Sequence, residues 1–348
     1  MAKLDQIFKK MMQKGASDLH LTVGSPPMFR LRGEMVPLPI SPLTDDQLRA
    51  LLFETMRPDQ IERFKEIKDM DFSYEVPGVA RFRGNVFQDY RGVGGVYRII
   101  PTEIKTIDEM GFPKGVHRIA ELRRGLVLVT GATGSGKSTT LSAIINAVNM
   151  TLQGHIITIE DPIEFVHPSK KCLITQREIH YHSKSFANAL KAATREDPDV
   201  ILVGEMRDYE TISLALTAAE LGILVFGTLH TNGAAETVDR IIDVFPTDAQ
   251  QQARSMLSDS LKGVVSQLLL KTADGKGRCA VQEVLLGTSS LSSIIREGKT
   301  QQIESLLQTG VKDDMQTFDM ALSELVKENK ITKETAFYVA RDKKKFEP

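Results

Sequence analysis

Two hydrophobic rhythms divide the chain. In DLHLTV (18–23), Leu19, Leu21 and Val23 share one side while Asp18, His20 and Thr22 share the other. That period of two marks a half-buried strand. MFRLRGEMVPL (28–38) continues the sheet, and DFSYEV (71–76), ARFRGNVFQ (80–88) and GGVYRII (94–100) add three strands separated by turn residues. Two helices are expected alongside. One is the opening MAKLDQIFKKMMQKG, whose apolar residues recur at helical spacing. The other opens at Thr44, Asp45 and Asp46, with acids in its first turn, and runs to about Lys65.

Further on the alternation disappears. GLVLVT (125–130), HIITIE (155–160), DVILVG (199–204) and LVFGTLH (224–230) are nearly uninterrupted apolar runs, separated by helical stretches near 185–196 and 209–221. Apolar strands alternating with helices predict a parallel sheet covered on both faces. Between the two regimes lies PTEIKTIDEMGFPKG (101–115), a linker by its Pro101, Gly111, Pro113 and Gly115. The expected organisation is therefore α/β: an α+β N-terminal domain over 1–100, a linker over 101–115, and a P-loop domain over 116–348. The last hundred residues are read as mainly helical, ending in the charged tail RDKKKFEP.

Composition narrows the function classes. The net charge of −1 gives no support to broad nucleic-acid binding. Cys172 and Cys279 form no CxxC pair, so neither a structural zinc nor a disulfide framework is expected. The opening segment lacks the apolar core of a signal peptide, and no apolar run approaches the roughly 20 residues of a membrane span. A cytoplasmic protein that meets membranes only through partners is the expectation.

The chemistry begins at Gly131-Ala132-Thr133-Gly134-Ser135-Gly136-Lys137-Ser138, which fits G-x-x-x-x-G-K-[ST] between an apolar strand and a helix-forming TTLSAIINAV, whose Thr139 is counted with the nucleotide-binding residues. Glycines let such a loop curl until its backbone N–H groups point inward at phosphate oxygens, and the following helix presents its positive end to the same anion. Lys137 is expected to reach the β- and γ-phosphates and Ser138 to bind Mg²⁺. Hydrolysis also needs a group that orients water. DVILVGE (199–205) delivers Glu205 from the end of a buried strand, and the residue before it is Gly204 rather than Asp. Glu205 is the first candidate for general base or water organiser, and Glu160 is its rival. TIEDPIEF (158–165) places Glu160, Asp161 and Glu164 after another buried strand, where they can hold Mg²⁺ or cap the turn before Pro162. His230 ends a third strand in GTLHTN, where an imidazole can sense the γ-phosphate. His20, His117, His155, His167, His180 and His182 have no comparable context and are read as ordinary polar positions.

Together, GATGSGKST (131–139), TIEDPIEF (158–165), DVILVGEMRD (199–208) and GTLHTNGAAETVDRI (227–241) resemble the Walker A, Asp box, Walker B and His box of type II/IV secretion ATPases. SDLHLTVGSPPMFRLRGEM (17–35) and RFRGNVFQDYRGVGGVYRIIP (81–101) extend the resemblance over essentially the whole chain, which is most similar to the retraction ATPases of type IV pili, the PilT group. The short chain, the absence of a tetracysteine module and SLSSIIREGKTQQI (290–303) favour that subgroup. The last segment keeps Ile295, Arg296 and Glu297 of the retraction pattern but not its first Arg.

The resemblance implies a PAS-like N-terminal domain and a RecA-like ATPase domain with a helical C-terminal region. It implies a homohexamer that binds MgATP between domains and works at the cytoplasmic face of the inner membrane on a pilus platform protein, with a retraction-ATPase paralogue as a further partner. Arginine sensors are expected from Arg81 and Arg83, which share a strand face with Asn85, and from Arg98; Arg195, Arg207 and Arg240 are further candidates. Two alternatives stay open. One is an assembly or type II secretion ATPase. The other is a weakly hydrolytic accessory paralogue acting as a nucleotide-gated scaffold.

Overall fold

The computed structural model describes residues 3–31, 33–100 and 104–347. It divides into two compact units, Met1–Glu103 with Pro162–Phe165, and Ile104–Asp161 with Val166–Pro348. Residues 101–103 of the expected linker lie outside the described residues.

The first unit holds α1 (Leu4–Lys14), β1 (Asp18–Leu21), β2 (Met28–Leu31), β3 (Glu34–Pro37), α2 (Asp45–Phe53), α3 (Pro58–Ile67), β4 (Asp69–Val76), β5 (Ala80–Gln88) and β6 (Val93–Ile100). Its six strands form one sheet in the order β3-β2-β1-β6-β5-β4, and each neighbouring pair is antiparallel. Alternation behaves as the sequence predicts: Phe82 and Val86 are fully buried, and Arg83 between them is exposed. The single helix expected from Thr44 to about Lys65 is instead two. Pro58 opens α3, and the residue before it, Arg57, is extended (φ −78°, ψ 159°), because a proline ring disfavours helical backbone at the preceding position. Thr44 caps α2 in a capping box with Gln47.

The second unit contains α4 (Lys114–Ala120), β7 (Gly125–Thr130), α5 (Lys137–Thr151), β8 (His155–Glu160), β9 (Leu173–Glu178), α6 (Phe186–Ala193), β10 (Val200–Val203), α7 (Tyr209–Glu220), β11 (Leu224–Leu229), α8 (Ala234–Asp243), α9 (Gln250–Ser260), β12 (Leu261–Lys271), β13 (Arg278–Leu286), α10 (Ser289–Arg296), α11 (Ile303–Thr309), α12 (Phe318–Lys327) and α13 (Lys333–Val339). The strand order is β13-β12-β7-β11-β10-β8-β9. Every pairing from β12 to β9 is parallel, and only the β12–β13 edge is antiparallel.

The expected α/β architecture stands. Leu126, Val127, Leu128 and Val129 of β7 are all fully buried, as are Leu224, Val225 and Phe226 of β11, so both faces of these strands are covered. The hairpin β12–β13 is a departure from the helical reading of the last hundred residues. Ser266, Gln267, Gln282 and Glu283 interrupt its apolar pattern, yet all four are buried. Among the described residues, no helix is long and apolar enough to cross a membrane.

Candidate active site

The order β7-β11-β10-β8 puts four strand ends side by side. Their carboxyl ends carry Gly131 after β7, His230 after β11, Glu205 after β10 and Glu160 at the end of β8. This is the edge of a parallel sheet where ligands gather, and it holds the residues picked from sequence for binding, sensing and base chemistry.

The loop from Gly131 to Gly136 curls as such a cradle must. Gly131 (φ 140°), Gly134 (φ 79°) and Gly136 (φ 88°) all use backbone conformations that side chains disfavour. A Cβ on Gly131 would strike the carbonyl oxygen of Gln267, and one on Gly136 would lie 2.8 Å from the Gln267 amide nitrogen. Lys137 is the first residue of α5. Its ammonium is folded over the loop, donating to the carbonyls of Gly131 (2.8 Å) and Ala132 (3.1 Å). Ser138 and Thr139 follow in the first turn of α5, half-buried. Ala132, Thr133 and Gly134 form the exposed crest. A ring of glycines in backbone conformations that side chains disfavour, an ammonium resting on two loop carbonyls and a helix N-terminus fit a polyphosphate.

Glu205 and His230 are brought together: His230 Nε2 lies 3.0 Å from Glu205 Oε1. The same carboxylate takes a two-pronged contact from Arg207, through Nε to Oε1 and through Nη2 to Oε2 (2.6 Å). Burial pushes the Glu205 carboxyl up, but the bonds and charge of Arg207, with His230 behind them, outweigh it and hold the group below the usual carboxylate range. Arg207 is raised in turn by Glu205. Glu205 is thus kept ionised, as a base or water organiser must be.

Glu160 is held differently. Its Oε1 accepts from Thr158 Oγ1 (2.6 Å) and from Gln176 Nε2 (3.2 Å), both within the sheet. Among the described residues no three acidic, His or Cys side chains converge as a metal-binding group. The Glu160 carboxylate turns back onto β8 and β9, and Glu164 falls in the segment Pro162–Phe165 that groups with the first unit. Asp161 faces His180 at 3.9 Å. His182 Nδ1 accepts the Glu178 backbone N–H (2.9 Å).

The arginines fall into two groups. In the first unit Arg83 of β5 stands directly opposite Arg98 of β6. Arg98 donates to Asp18 (2.7 Å), Arg83 lies 3.8 Å from Asp71, and Arg81 donates to Ser73 (2.9 Å). In the second unit Arg207 touches a catalytic candidate, Glu205; Arg195 follows α6 and Arg240 sits exposed on α8.

Residues 107–336 match the type II/IV secretion system protein family. The chain belongs to that family. It is 53% identical over 324 residues to the type IV pilus retraction ATPase PilT of Pseudomonas aeruginosa, covering 93% of this chain and 94% of the relative. It is 54% identical over 310 residues to a twitching motility protein of Neisseria gonorrhoeae, covering 89% and 83%. The crystal structure of the pilus retraction motor PilT with bound ADP superimposes with a TM-score of 0.91 at 45% identity, covering 99% of this chain and 98% of that one.

Two features of this secretion ATPase escaped the sequence reading. Beneath the loop, Gln267 bonds the Ser135 carbonyl, Thr140 and Gln282. Behind the His230 loop, buried Glu283 accepts the backbone N–H of Ala234 (2.9 Å), the first residue of α8, and pairs with Arg341 at 3.3 Å. Burial pushes the Glu283 carboxyl up. The sequence carried a signal for both: each strand of the β12–β13 hairpin has a polar pair, Ser266-Gln267 and Gln282-Glu283, in the middle of an apolar run.

Proposed function

We propose that this chain is an ATP-hydrolysing motor of type IV pilus retraction, the machinery of twitching motility. The observation that carries the reading is the junction of the 131–139 cradle with the Glu205–His230 pair at neighbouring strand ends, in a chain 53% identical to a pilus retraction ATPase.

The residues divide the work as follows. Gly131 through Thr139 wrap the phosphates with backbone N–H groups, and Lys137 exchanges its two carbonyl partners for phosphate oxygens. Ser138 and the nearby carboxylates Glu160 and Asp161 are the groups that would hold Mg²⁺. The ion supplies charge neutralisation at the transferred phosphoryl group. Glu205 orients the attacking water, with Glu160 as the alternative. His230, in contact with Glu205, reports whether the γ-phosphate is present. Because Arg207 grips both carboxylate oxygens, it fixes how the Glu205 carboxylate is turned, and the lone pairs it leaves open can accept from water. Arg81, Arg83 and Arg98 are sensor candidates on the first unit, and Arg195 and Arg240 remain weaker candidates on the second.

The working assembly in this reading is a homohexamer of two-domain subunits joined near residues 101–115. It docks on a pilus platform protein at the cytoplasmic face of the inner membrane and reaches the membrane only through that partner, without nucleic acid.

The test is MgATP turnover by the purified protein and by Glu205→Gln, with particle size measured in the same samples. Turnover in a ring-sized species, reduced by about 10²- to 10⁴-fold in the variant while nucleotide still binds, is expected. A wild-type protein that binds ATP without turning it over would reject the motor in favour of a nucleotide-gated scaffold.

A further inference from the structure

The floor of the phosphate loop is polar where a parallel sheet would ordinarily be apolar. Thr130, Thr140 and Ser266 are fully buried, and Gln267 and Gln282 are each 2% exposed. Thr130 and Ser266 face each other in the β7–β12 register and bond through their hydroxyls at 2.7 Å. Gln267, the next residue on β12, makes three side-chain bonds. Its Nε2 donates to the Ser135 carbonyl (2.6 Å), and its Oε1 accepts from Thr140 Oγ1 (2.6 Å) and Gln282 Nε2 (2.8 Å). A carbonyl can only accept, so the Ser135 contact fixes which end of the amide faces the loop.

The arrangement carries a structural cost. Ser135 Oγ and Gln282 Oε1 are buried without a hydrogen-bond partner, and such groups destabilise a fold. An apolar filling of the same shape would avoid that loss. The polar layer therefore calls for a role other than stability, and the peptide plane supplies one. In a trans peptide the carbonyl of one residue and the N–H of the next point in opposite directions. Holding the Ser135 carbonyl down onto Gln267 turns the Gly136 N–H away from the sheet, toward the open side of the cradle. Gly131 and Gly136 are both packed against Gln267, one on its backbone and one on its side chain. A single residue thus sets the floor at both ends of the loop.

We propose that Gln267 is a positioning residue for nucleotide: it pins the Ser135–Gly136 peptide so that the Gly136 N–H is aimed in advance at the phosphates of a nucleoside di- or triphosphate. The inference rests on the reading of 131–139 as a nucleotide cradle. Aiming the donor before binding removes an ordering cost that the ligand would otherwise bear. The contact is made to a group shared by ADP and ATP sites, so its loss weakens both nucleotides and lowers turnover only through binding.

Calorimetric titration of ADP and ATP, with Mg²⁺ present, tests this on the full chain. Gln267→Met keeps the length and removes the donor; its affinity for both nucleotides should fall about tenfold, with kcat at saturation changed far less. Thr140→Val removes a bond of the same network but leaves Ser135 held, so its affinity should stay within about threefold of wild type even if its melting temperature drops. Gln267→Glu is the isosteric check. The protonated acid can donate to the Ser135 carbonyl and the carboxylate cannot, so its affinity relative to wild type should fall as pH rises from 6 to 9.

Gln267→Met binding within twofold of wild type overturns the inference. So does Thr140→Val losing as much affinity as Gln267→Met. If Gln267→Met does not fold, a Gln267→Glu affinity that tracks wild type at every pH overturns it instead. A wild-type protein that binds neither nucleotide removes the cradle reading itself, a separate result from any difference among variants.

Discussion

The two sheets handle polar side chains in opposite ways. In the first unit one face of the antiparallel sheet is apolar, and the other carries Arg81, Arg83 and Asn85 on β5 beside Asp69, Asp71 and Ser73 on β4. These groups lean diagonally to find partners at the surface, as Asn85 does to Asp69 (2.8 Å) and Arg83 to Asp71 (3.8 Å). Water can replace any of them. In the second unit both faces of the sheet are covered, so Thr130, Ser266, Gln267 and Gln282 find their partners among other buried groups, Ser135 and Thr140 included. Where solvent stands by, a polar residue is exchangeable; where it is excluded, each polar group needs a matched partner, and the match fixes geometry. The phosphate cradle is built over the second kind of surface.

The sharpest break in that contrast should come at Lys137, whose ammonium donates to the loop carbonyls of Gly131 and Ala132. Lys137→Ala is expected to lower MgATP hydrolysis by about a hundredfold or more, the scale of losing one donor to a developing charge, with the melting temperature nearly unchanged. Steady-state phosphate release beside a thermal melt measures both. A variant that keeps a tenth of the turnover would mean that the loop's backbone donors do most of the binding.

How much of this was readable in the sequence depends on how local each feature is. The cradle is one contiguous stretch between an apolar strand and a helix, so the pattern and its context suffice. Glu205 and His230 end apolar runs that can only be buried strands, and their adjacency follows from the parallel sheet. The β12–β13 hairpin was hidden because Gln267 and Gln282 make sense only with Ser135 and Thr140, which lie more than a hundred residues away in the chain. Pro58 was read through because the apolar spacing continues on both sides of it; its effect on Arg57 separates α3 from α2, which ends at Phe53. Gln176's bond to the Glu160 carboxylate was hidden for a similar reason, because it comes from the neighbouring strand β9.

His167, read from sequence as an ordinary polar position, extends the contrast to pH. It is 8% exposed, its Nδ1 has no hydrogen-bond partner, and burial, with Lys170 nearby, lowers its pKa from 6.5 to about 4. The unfolded imidazole takes up a proton below 6.5 and the folded one does not until about 4. Between these values the unfolded chain binds more protons, so stability is complete above the window and is lost as pH falls through it. The loss should approach about 3 kcal/mol by pH 4. Urea unfolding of wild type and His167→Phe at a series of pH values checks this, each protein serving as its own reference at pH 8. The variant should lose less stability over the window; equal acid sensitivity in both would move the effect to another group.

The smallest effects are expected in the first unit, where one carboxylate allows a paired measurement. Asp45 of α2 pairs with Arg49 one turn on (3.1 Å), and it also accepts the backbone N–H of Val93 (2.7 Å). The Val93 bond first, and Arg49 after it, holds its carboxyl below the usual range. The Arg49 partnership is a half-exposed i,i+4 ion pair, so Arg49→Ala should change stability by less than about 0.5 kcal/mol and fade further with added salt. Asp45→Ala also strands the Val93 N–H and removes a negative charge from the first turn of α2, which should cost about 1–2 kcal/mol. Denaturant melts of the two variants at low and high salt separate the terms. A salt-insensitive difference between them isolates the backbone bond. Equal losses would show that the surface ion pair carries the contact, and would erase the distinction drawn between exchangeable and committed polar groups.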